Sequence, residues 1–576
     1  MKYYLFLIYY LIFNYLLYPL HCNDEIDNDI SYLREKVKFI IFDDFHIGPD
    51  NKSILDILLN ENKIPKENIY YLSENIPQKS PQDTLLLPIL FRYVKESIDN
   101  SFDWFFIINS YTRFDPNLLS KLLFNLNKEQ TTFEKIQNIS NFNSSIKSPN
   151  NNFIGAQIND NSPSIVHHYN LDRNFHYPFH HSGYAIRRFT IESLQVSISS
   201  SDYINNKYSS KIYTDVNYEL SKLIYDQLNI GLKDIPEFCI NTNDTNPKYH
   251  KKHSIVPKKC ITWSISYRIS DQCISFSIPT NNLDPKSIVN PNEVVISIKT
   301  TQKYHHDRIP QINQLWANKQ YLNYQSANSN PFCKDYFLSN SHLLKPFTHQ
   351  SIHIDTLSDF NDHVNSLEIH DLKTGNQLNG HCLKLYTIIH FLYNKYVTNN
   401  IHSNHNIKYF VLADDDTLII PFSLLNSLTF INHHLGNDHD LYLGLRYSLG
   451  SIIDNWSIDY ITGGAGIIIN SNSLTKLVNC KECICNKPDE PDDMALGRWF
   501  KILNIKATNF YGFHQAEPNN YHPYYNYYSH IISYHKIESN LPKTAQKYNP
   551  KFFNLLYPHV SHDILNQEKE SKHDEL

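Results

Sequence analysis

Short apolar runs closed by polar turns recur along this chain, and one succession of them occurs twice. Residues 408–419 read KYFVLADDDTLI and residues 103–114 read DWFFIINSYTRF. In each, an apolar strand meets a three-residue turn and then a threonine. LYLGLRY (441–447) is echoed by NFIGAQI (152–158), and YITGGAGIIIN (460–470) by HHSGYAIRR (180–188). The helical-period DDMALGRWFKILNI (492–505) is echoed by NYELSKLIYDQLNI (217–230). Four echoes in one order predict an ancient duplication. In the second copy, EVVISIKTT (293–301) predicts a buried β-branched strand, 307–316 and 380–396 predict helices, and 409–413 predicts a strand ending at carboxylates. Strands feeding helices predict an α/β sheet whose ligand sits beyond the carboxyl ends of the strands.

The carboxylates do not occur in both copies. Asp414-Asp415-Asp416 faces Asn109-Ser110-Tyr111, and Asp492-Asp493 faces Asn217-Tyr218, or Glu219 with a one-residue slip. The expected organisation is therefore 1–22 as a signal peptide or signal anchor, 23–245 as a degenerate domain and 246–290 as a disulfide-tied connector. A working domain at 291–545 and a tail at 546–576 follow. The Asn-rich stretch 138–152 predicts a surface loop.

Composition narrows the function. With 41% hydrophobic and 19% charged residues in 576, the chain is globular and long enough for two to four domains. Lys+Arg 52 against Asp+Glu 58 leaves a net charge of -6, which argues against a nucleic-acid partner. The apolar run 3–20 behind Lys2 predicts secretory entry, with cleavage near Cys22 or retention as a type II anchor. The ending His573-Asp574-Glu575-Leu576 predicts capture by the HDEL retrieval receptor and residence in the lumen of the endoplasmic reticulum. Beyond Cys22 lie eight cysteines, an even number that predicts up to four disulfides in that compartment, their pairing open. Cys480-x2-Cys483-x-Cys485 offers a zinc reading as the lesser alternative. Sequons stand at Asn51, Asn138, Asn143, Asn243 and Asn455.

Three adjacent carboxylates after an apolar strand repel one another and favour a hard cation, Mn2+ or Mg2+. Alternation along the turn lets Asp414 and Asp416 face one ion while Asp415 turns to a neighbour; the plain alternative is an Asp-rich helix cap. Gly463-Gly464-Ala465-Gly466 between two apolar strands permits positive φ and close approach of a ligand, or is simply a tight turn. Glu490-Pro491-Asp492-Asp493-Met494 opens a helix, and its acids are either ordinary start signals or include a general base. His514, in Phe513-His514-Gln515, is a candidate metal ligand, though it is one of 30 histidines.

Taken in order, SIKTTQKYHHDRIPQINQLW (297–316), GHCLK (380–384), FVLADDDTLI (410–419), YITGGAG (460–466), PDDMALG (491–497) and FHQAEPNNY (513–521) resemble the fringe-type β-1,3-glycosyltransferases. The resemblance covers roughly 290–540 and extends more weakly to WFFI (104–107), IVHHY (165–169) and PEFC (236–239). It implies two tandem GT-A-like, Rossmann-like α/β domains, the first degenerate and the second catalytic. It also implies inverting, metal-dependent transfer of glucose from UDP-glucose to the 3-hydroxyl of O-linked fucose on thrombospondin type 1 repeats. Asp414 and Asp416 match the metal motif with His514 as a further ligand, and Asp493 matches the base, with Asp492 orienting it or the acceptor. Thr300, Arg308, Lys384, Asp415, Gly463 and Gly464 fall on the nucleotide-sugar side. Ala465 stands where a glycine is common. The alternatives are a related transferase using UDP-N-acetylglucosamine or UDP-galactose, and a non-catalytic luminal glycan binder.

Overall fold

The computed structural model describes residues 27–42, 59–71, 102–109, 112–139, 151–167, 175–199, 211–239, 260–264, 269–270, 273–274, 287–317, 352–364, 367–372, 381–398, 406–436, 439–451, 456–487, 490–510, 512–522 and 531–536. The amino-terminal apolar run, the HDEL ending, four of the sequons and residues 140–150 of the Asn-rich stretch lie outside these. Asn138 belongs to a helix, not to the loop expected there. Among the described residues no helix is long and apolar enough to cross a membrane.

In chain order the first half contributes β1 (Val37–Phe42), β2 (Ile69–Tyr71), β3 (Trp104–Asn109), β4 (Phe153–Gly155), β5 (Tyr184–Arg187), β6 (Lys211–Tyr213) and β7 (Lys233–Asp234). The second contributes β8 (Val294–Lys299), β9 (His353–Ser358), β10 (Tyr409–Asp414), β11 (Tyr442–Gly444), β12 (Arg446–Ser451), β13 (Trp456–Ile461), β14 (Ile467–Asn470), β15 (Thr508–Asn509), β16 (Phe513–His514) and β17 (Ser533–Tyr534). The helices used below are α1 (Pro116–Ile139), α2 (Arg188–Ser199), α3 (Val216–Leu228), α4 (Arg308–Ile312), α5 (His381–Leu392) and α6 (Asp492–Ile502).

The protein is mixed α/β, with two main mixed sheets. The first runs β7-β4-β5-β3-β1-β2; the second runs β15-β11-β14-β10-β8-β9 and adds the edge strands Leu367–Asp371 and Asp362–Val364. These orders correspond strand for strand, and so do the directions. β1 lies parallel to β2 and β3, as β8 does to β9 and β10. β5 is antiparallel to β3 and β4, as β14 is to β10 and β11. β7 and β15 close each sheet in parallel. The central strands are near-continuous apolar runs because both faces are covered: all six residues of β3, all four of β14 and the first five of β8 are buried. The four sequence echoes thus fall on corresponding elements. β3 and β10 each end on the first polar residue of the turn, α3 and α6 take the last echo, and Gly183 and Gly466 both hold positive φ, at 73° and 100°.

The halves are joined. β6 of the first pairs antiparallel with β12 of the second, extending the β12–β13 hairpin. Val166 of the first half sits in the apolar core of the second, with Val294, Ile296 and Ile531. Three disulfides occur among the described residues: Cys239–Cys260, Cys382–Cys485 and Cys480–Cys483. The zinc reading of the Cys480 cluster is therefore overturned, because all three of its sulfurs are spent in disulfides. Cys382–Cys485 ties the first turn of α5 to the segment leading into α6.

Candidate active site

β8 and β10 lie side by side in parallel register with Lys299 opposite Asp414, so both strands deliver polar ends to one edge of the sheet. The acidic turn after β10 is closed by Thr417, whose Oγ1 accepts from Asp414 N at 3.1 Å and donates to Gly464 O at 2.9 Å. Each carboxylate then meets its own combination of partners, Arg308 being shared by two of them. Asp414 pairs with Lys299 Nζ at 3.0 Å. Buried Asp415 accepts from Thr300 Oγ1 at 2.7 Å and Arg308 Nη1 at 2.7 Å. Asp416 lies 3.1 Å from Arg308 Nη1 and 3.2 Å from His535 Nε2. Arg308, at the start of α4, stacks its guanidinium over Tyr304 at 3.9 Å.

Burial works against ionisation in this cluster, and the partners decide the outcome. At Asp415 burial prevails and its carboxyl sits above the usual range despite Thr300 and Arg308. At Asp416 the His535 and Arg308 contacts prevail and hold it below. Lys384, reached from α5, is buried and its pKa is lowered for that reason; its Nζ donates to the Thr300 carbonyl. It braces Thr300 from beneath.

Asp414, Asp416 and His535 each offer one ligand atom within 4.8 Å of the others. Two carboxylate oxygens and one imidazole nitrogen form a donor set suited to a hard or borderline divalent cation such as Mn2+ or Mg2+. The expected histidine was His514; the structure instead places His535 beside Asp414 and Asp416. In the parallel pair β16–β17, His514 lies opposite Tyr534, and its buried ring turns Nδ1 to the carbonyls of Gly512 and Ser533, at 3.1 and 3.2 Å. Burial pushes its pKa down to about 4. His535, one residue beyond β17, carries its ring to the acidic turn. There Nδ1 donates to Gln515 O at 3.3 Å, which leaves Nε2 for Asp416 or a cation.

The glycine turn is explained by the same ring. Positive φ occurs at Gly466, not at Gly463 or Gly464. What approaches Gly464 is the His535 imidazole: a Cβ there would lie 2.2 Å from Cε1. Gly463 faces the other way, its N–H reaching Asp493 Oδ2 at 3.4 Å. One turn therefore touches both His535 and Asp493 of α6.

Those carboxylates are set apart by their neighbours. Asp492 is paired with Lys299, which thereby bridges Asp414 and Asp492; burial opposes ionisation of Asp492, but the ammonium outweighs it and keeps the carboxyl below its usual range. Asp493 accepts from Met494 N at 2.8 Å, and burial, with the Asp492 charge added, pushes it up to about 6. Two adjacent carboxylates thus have opposed proton affinities, the arrangement expected where one of them moves a proton. Sequence reasoning did not single out His535 or Lys299. His535 belongs to none of the motifs, and Lys299 lay inside one without a role.

Residues 289–330 and 341–560 match the family model described as Fringe-like, so the second half of the chain is similar to the fringe-like glycosyltransferases. Among named relatives, a β-1,3-glucosyltransferase of Mus musculus is 27% identical over 391 residues, 67% of this chain and 63% of the relative. A β-1,3-glucosyltransferase of Homo sapiens is 28% identical over 391 residues, 67% of this chain and 62% of that protein. The similarity thus spans less than two thirds of either relative.

Proposed function

We propose that the chain is an inverting, metal-dependent β-1,3-glucosyltransferase that moves glucose from UDP-glucose to the 3-hydroxyl of O-linked fucose on thrombospondin type 1 repeats. The observation that carries the reading is the glycine turn, with Asp414, Asp416 and His535 gathered on one side of it and Asp493 on the other. Bound at those three residues, Mn2+ or Mg2+ supplies Lewis-acid neutralisation of the charge that develops on the departing diphosphate. Asp493 takes the proton of the attacking hydroxyl; a carboxyl pushed up to about 6 is a stronger base than an ordinary one and is still ionised at neutral pH. Lys299 keeps Asp492 ionised, so the proton goes to Asp493. Thr300 and Arg308 hold Asp415 off the metal side. The named relatives support the β-1,3 linkage and the glucose donor.

We further read the two sheets as tandem GT-A-like domains, the first having lost its site. Asn109 stands where Asp414 does, and its N–H likewise donates to a threonine, Thr112, at 3.1 Å. Thr112 in turn donates to His181 O at 3.1 Å, the counterpart of the Gly464 carbonyl. Where the second half has a glycine, the first therefore carries an imidazole. It points at Asn109 Nδ2, 2.9 Å from Nδ1, and fills the volume. The three disulfides fit the oxidising lumen of the endoplasmic reticulum, where we place the reaction.

The test is mass spectrometry of a fucosylated thrombospondin repeat incubated with the chain, Mn2+ and one UDP-sugar at a time. A hexose gained from UDP-glucose alone is the expected result. Gain from UDP-N-acetylglucosamine or UDP-galactose instead would reassign the donor, and no gain from any would leave a glycan binder.

A further inference from the structure

His535 is held through its Nδ1 by the Gln515 carbonyl; Thr462 Oγ1 fixes the Gln515 side chain from within the second half at 2.5 Å, and the loop that follows Gln515 is also held from the first half. Ala516 N donates to Tyr521 Oη at 3.1 Å, folding 516–521 into a closed loop. The far side of that loop is gripped by three consecutive residues of the first half. Asp160 Oδ1 accepts from His522 N at 2.8 Å. Asn161 Nδ2 donates to the carbonyls of Asn519 and Tyr521 at 2.9 and 3.2 Å. Ser162 N donates to Asn520 O at 3.0 Å.

The grip is built rather than incidental. Asp160 is 1% exposed, and its other oxygen accepts from Tyr177 Oη at 2.5 Å and His167 Nε2 at 2.7 Å. The His167 ring is itself stacked on Tyr218 at 3.7 Å. A buried carboxylate with three donors in place has no freedom to turn, so it fixes the backbone of His522 against the first half's own core. From there the path is short. It runs from Asp160 to His522 and Tyr521, through the Ala516 amide to the Gln515 carbonyl, and then to His535 Nδ1, with Nε2 facing Asp416.

We propose that Asp160 and Asn161 are positioning residues for the metal-side imidazole of His535, so that the first half sets the metal affinity of a site to which it contributes no ligand. The inference rests on the metal site proposed above. It gives the first half a stated duty that survives the loss of its own carboxylates. An imidazole whose second nitrogen is fixed by a carbonyl keeps its tautomer and its aim, and losing such outer support typically weakens metal binding by about 10- to 100-fold.

The experiment is calorimetric titration of the purified full chain with Mn2+ alone, without nucleotide or acceptor. Asp160→Ala is expected to weaken Mn2+ binding at least about fivefold, and Asn161→Ala, which spares the buried carboxylate and its folding role, by a smaller but measurable factor. Asp160→Asn keeps an acceptor for His522 N and is expected to recover much of the affinity. Asp103→Asn is the control: it loosens the first half at Tyr32 and Asn127, away from the 516–522 loop, and is expected to lower the melting temperature without moving Mn2+ affinity. If Asp160→Ala does not fold, Asn161→Ala and Asp160→Asn carry the comparison. Affinities within twofold of the parent in Asp160→Ala and Asn161→Ala (in Asn161→Ala alone where Asp160→Ala does not fold), or an equal loss in Asp103→Asn, overturn the proposal. A parent chain that binds no Mn2+ is a separate result: it removes the metal site and the positioning role together.

Discussion

Gly464 and His535 are in direct contact, the imidazole occupying the space where any other residue at 464 would put its Cβ. With that Cβ 2.2–2.5 Å from three ring atoms, the ring of a Gly464→Ala protein must move, and it is the smaller and freer partner. Gly464 itself sits in ordinary backbone space, so the fold survives. We expect Gly464→Ala to lose at least tenfold in Mn2+ affinity with a change in melting temperature of only a few degrees. Gly463→Ala, whose Cβ would meet Asp493 at an ordinary 3.9 Å, should keep Mn2+ affinity. Titration of both proteins with Mn2+ checks the contrast; equal affinities would place His535 outside the metal site.

Asp493 makes a prediction whose sign differs between activity and stability. As a base it must be ionised, so turnover should rise with pH through about 6 and level off above. For stability, its pKa is raised in the fold, so the unfolded chain releases this proton first. The cost of holding the carboxylate buried is absent below about pH 4, develops between pH 4 and 6, and is complete above. Asp493→Asn should therefore lose transfer by at least about a hundredfold while gaining about 1–3 kcal/mol at neutral pH. Denaturant unfolding beside a transfer assay reads both; an inactive but destabilised variant would argue for a structural carboxylate.

Much of the candidate site is legible in the sequence, and the reason is local. Asp414–Asp416, Gly463–Gly466 and Asp492–Asp493 each stand at the end of one strand or the start of one helix, where apolar period and turn chemistry reveal them. His535 was not legible. Its place depends on the pairing of β16 with β17, which sets His514 opposite Tyr534 and leaves His535, one residue further on, beside the acidic turn. Lys299 was hidden for a similar reason, since its partners lie 115 and 193 residues away and meet it only through sheet order and the packing of α6. The disulfide partners of the Cys480 cluster are likewise tertiary facts: Cys485 reaches back 103 residues to Cys382.

Buried neutral histidines predict acid sensitivity. Burial pushes His181 down to about 3, and His514 and His522 to about 4. Because each native pKa lies below the unfolded value near 6.5, the unfolded chain takes up these protons first. Stability falls as pH drops from about 6.5 towards 4, by up to about 1.4 kcal/mol per pH unit for each ring. Asp493 and Asp415, both raised by burial, work in the opposite direction over part of that range, but against these three rings and His180, which burial also lowers. The melting temperature should therefore fall steadily from pH 7 to pH 5, and His181→Asn should flatten the profile. A melting temperature unchanged between pH 7 and pH 5 would contradict the buried, neutral state of these rings.

Lys299 provides the last prediction, because its ammonium and the proposed cation share Asp414. Without metal, Lys299 is the counter-charge of two carboxylates, Asp414 and Asp492, with about a fifth of its side chain exposed. Removing one partner of a largely buried ion pair leaves the other uncompensated, a loss of up to about 3–5 kcal/mol before discounting for that exposure. Lys299→Met should therefore be markedly less stable than the parent in EDTA. Mn2+ then supplies charge that the variant lacks and the parent already has, so a cation bound only by the folded chain restores more of the loss. The rise in melting temperature from EDTA to saturating Mn2+ should accordingly be larger in Lys299→Met than in the parent, while turnover stays low because Asp492 and Asp493 now compete for the acceptor's proton. Equal rises in the two proteins would show that Lys299 and the metal do not act on the same carboxylate.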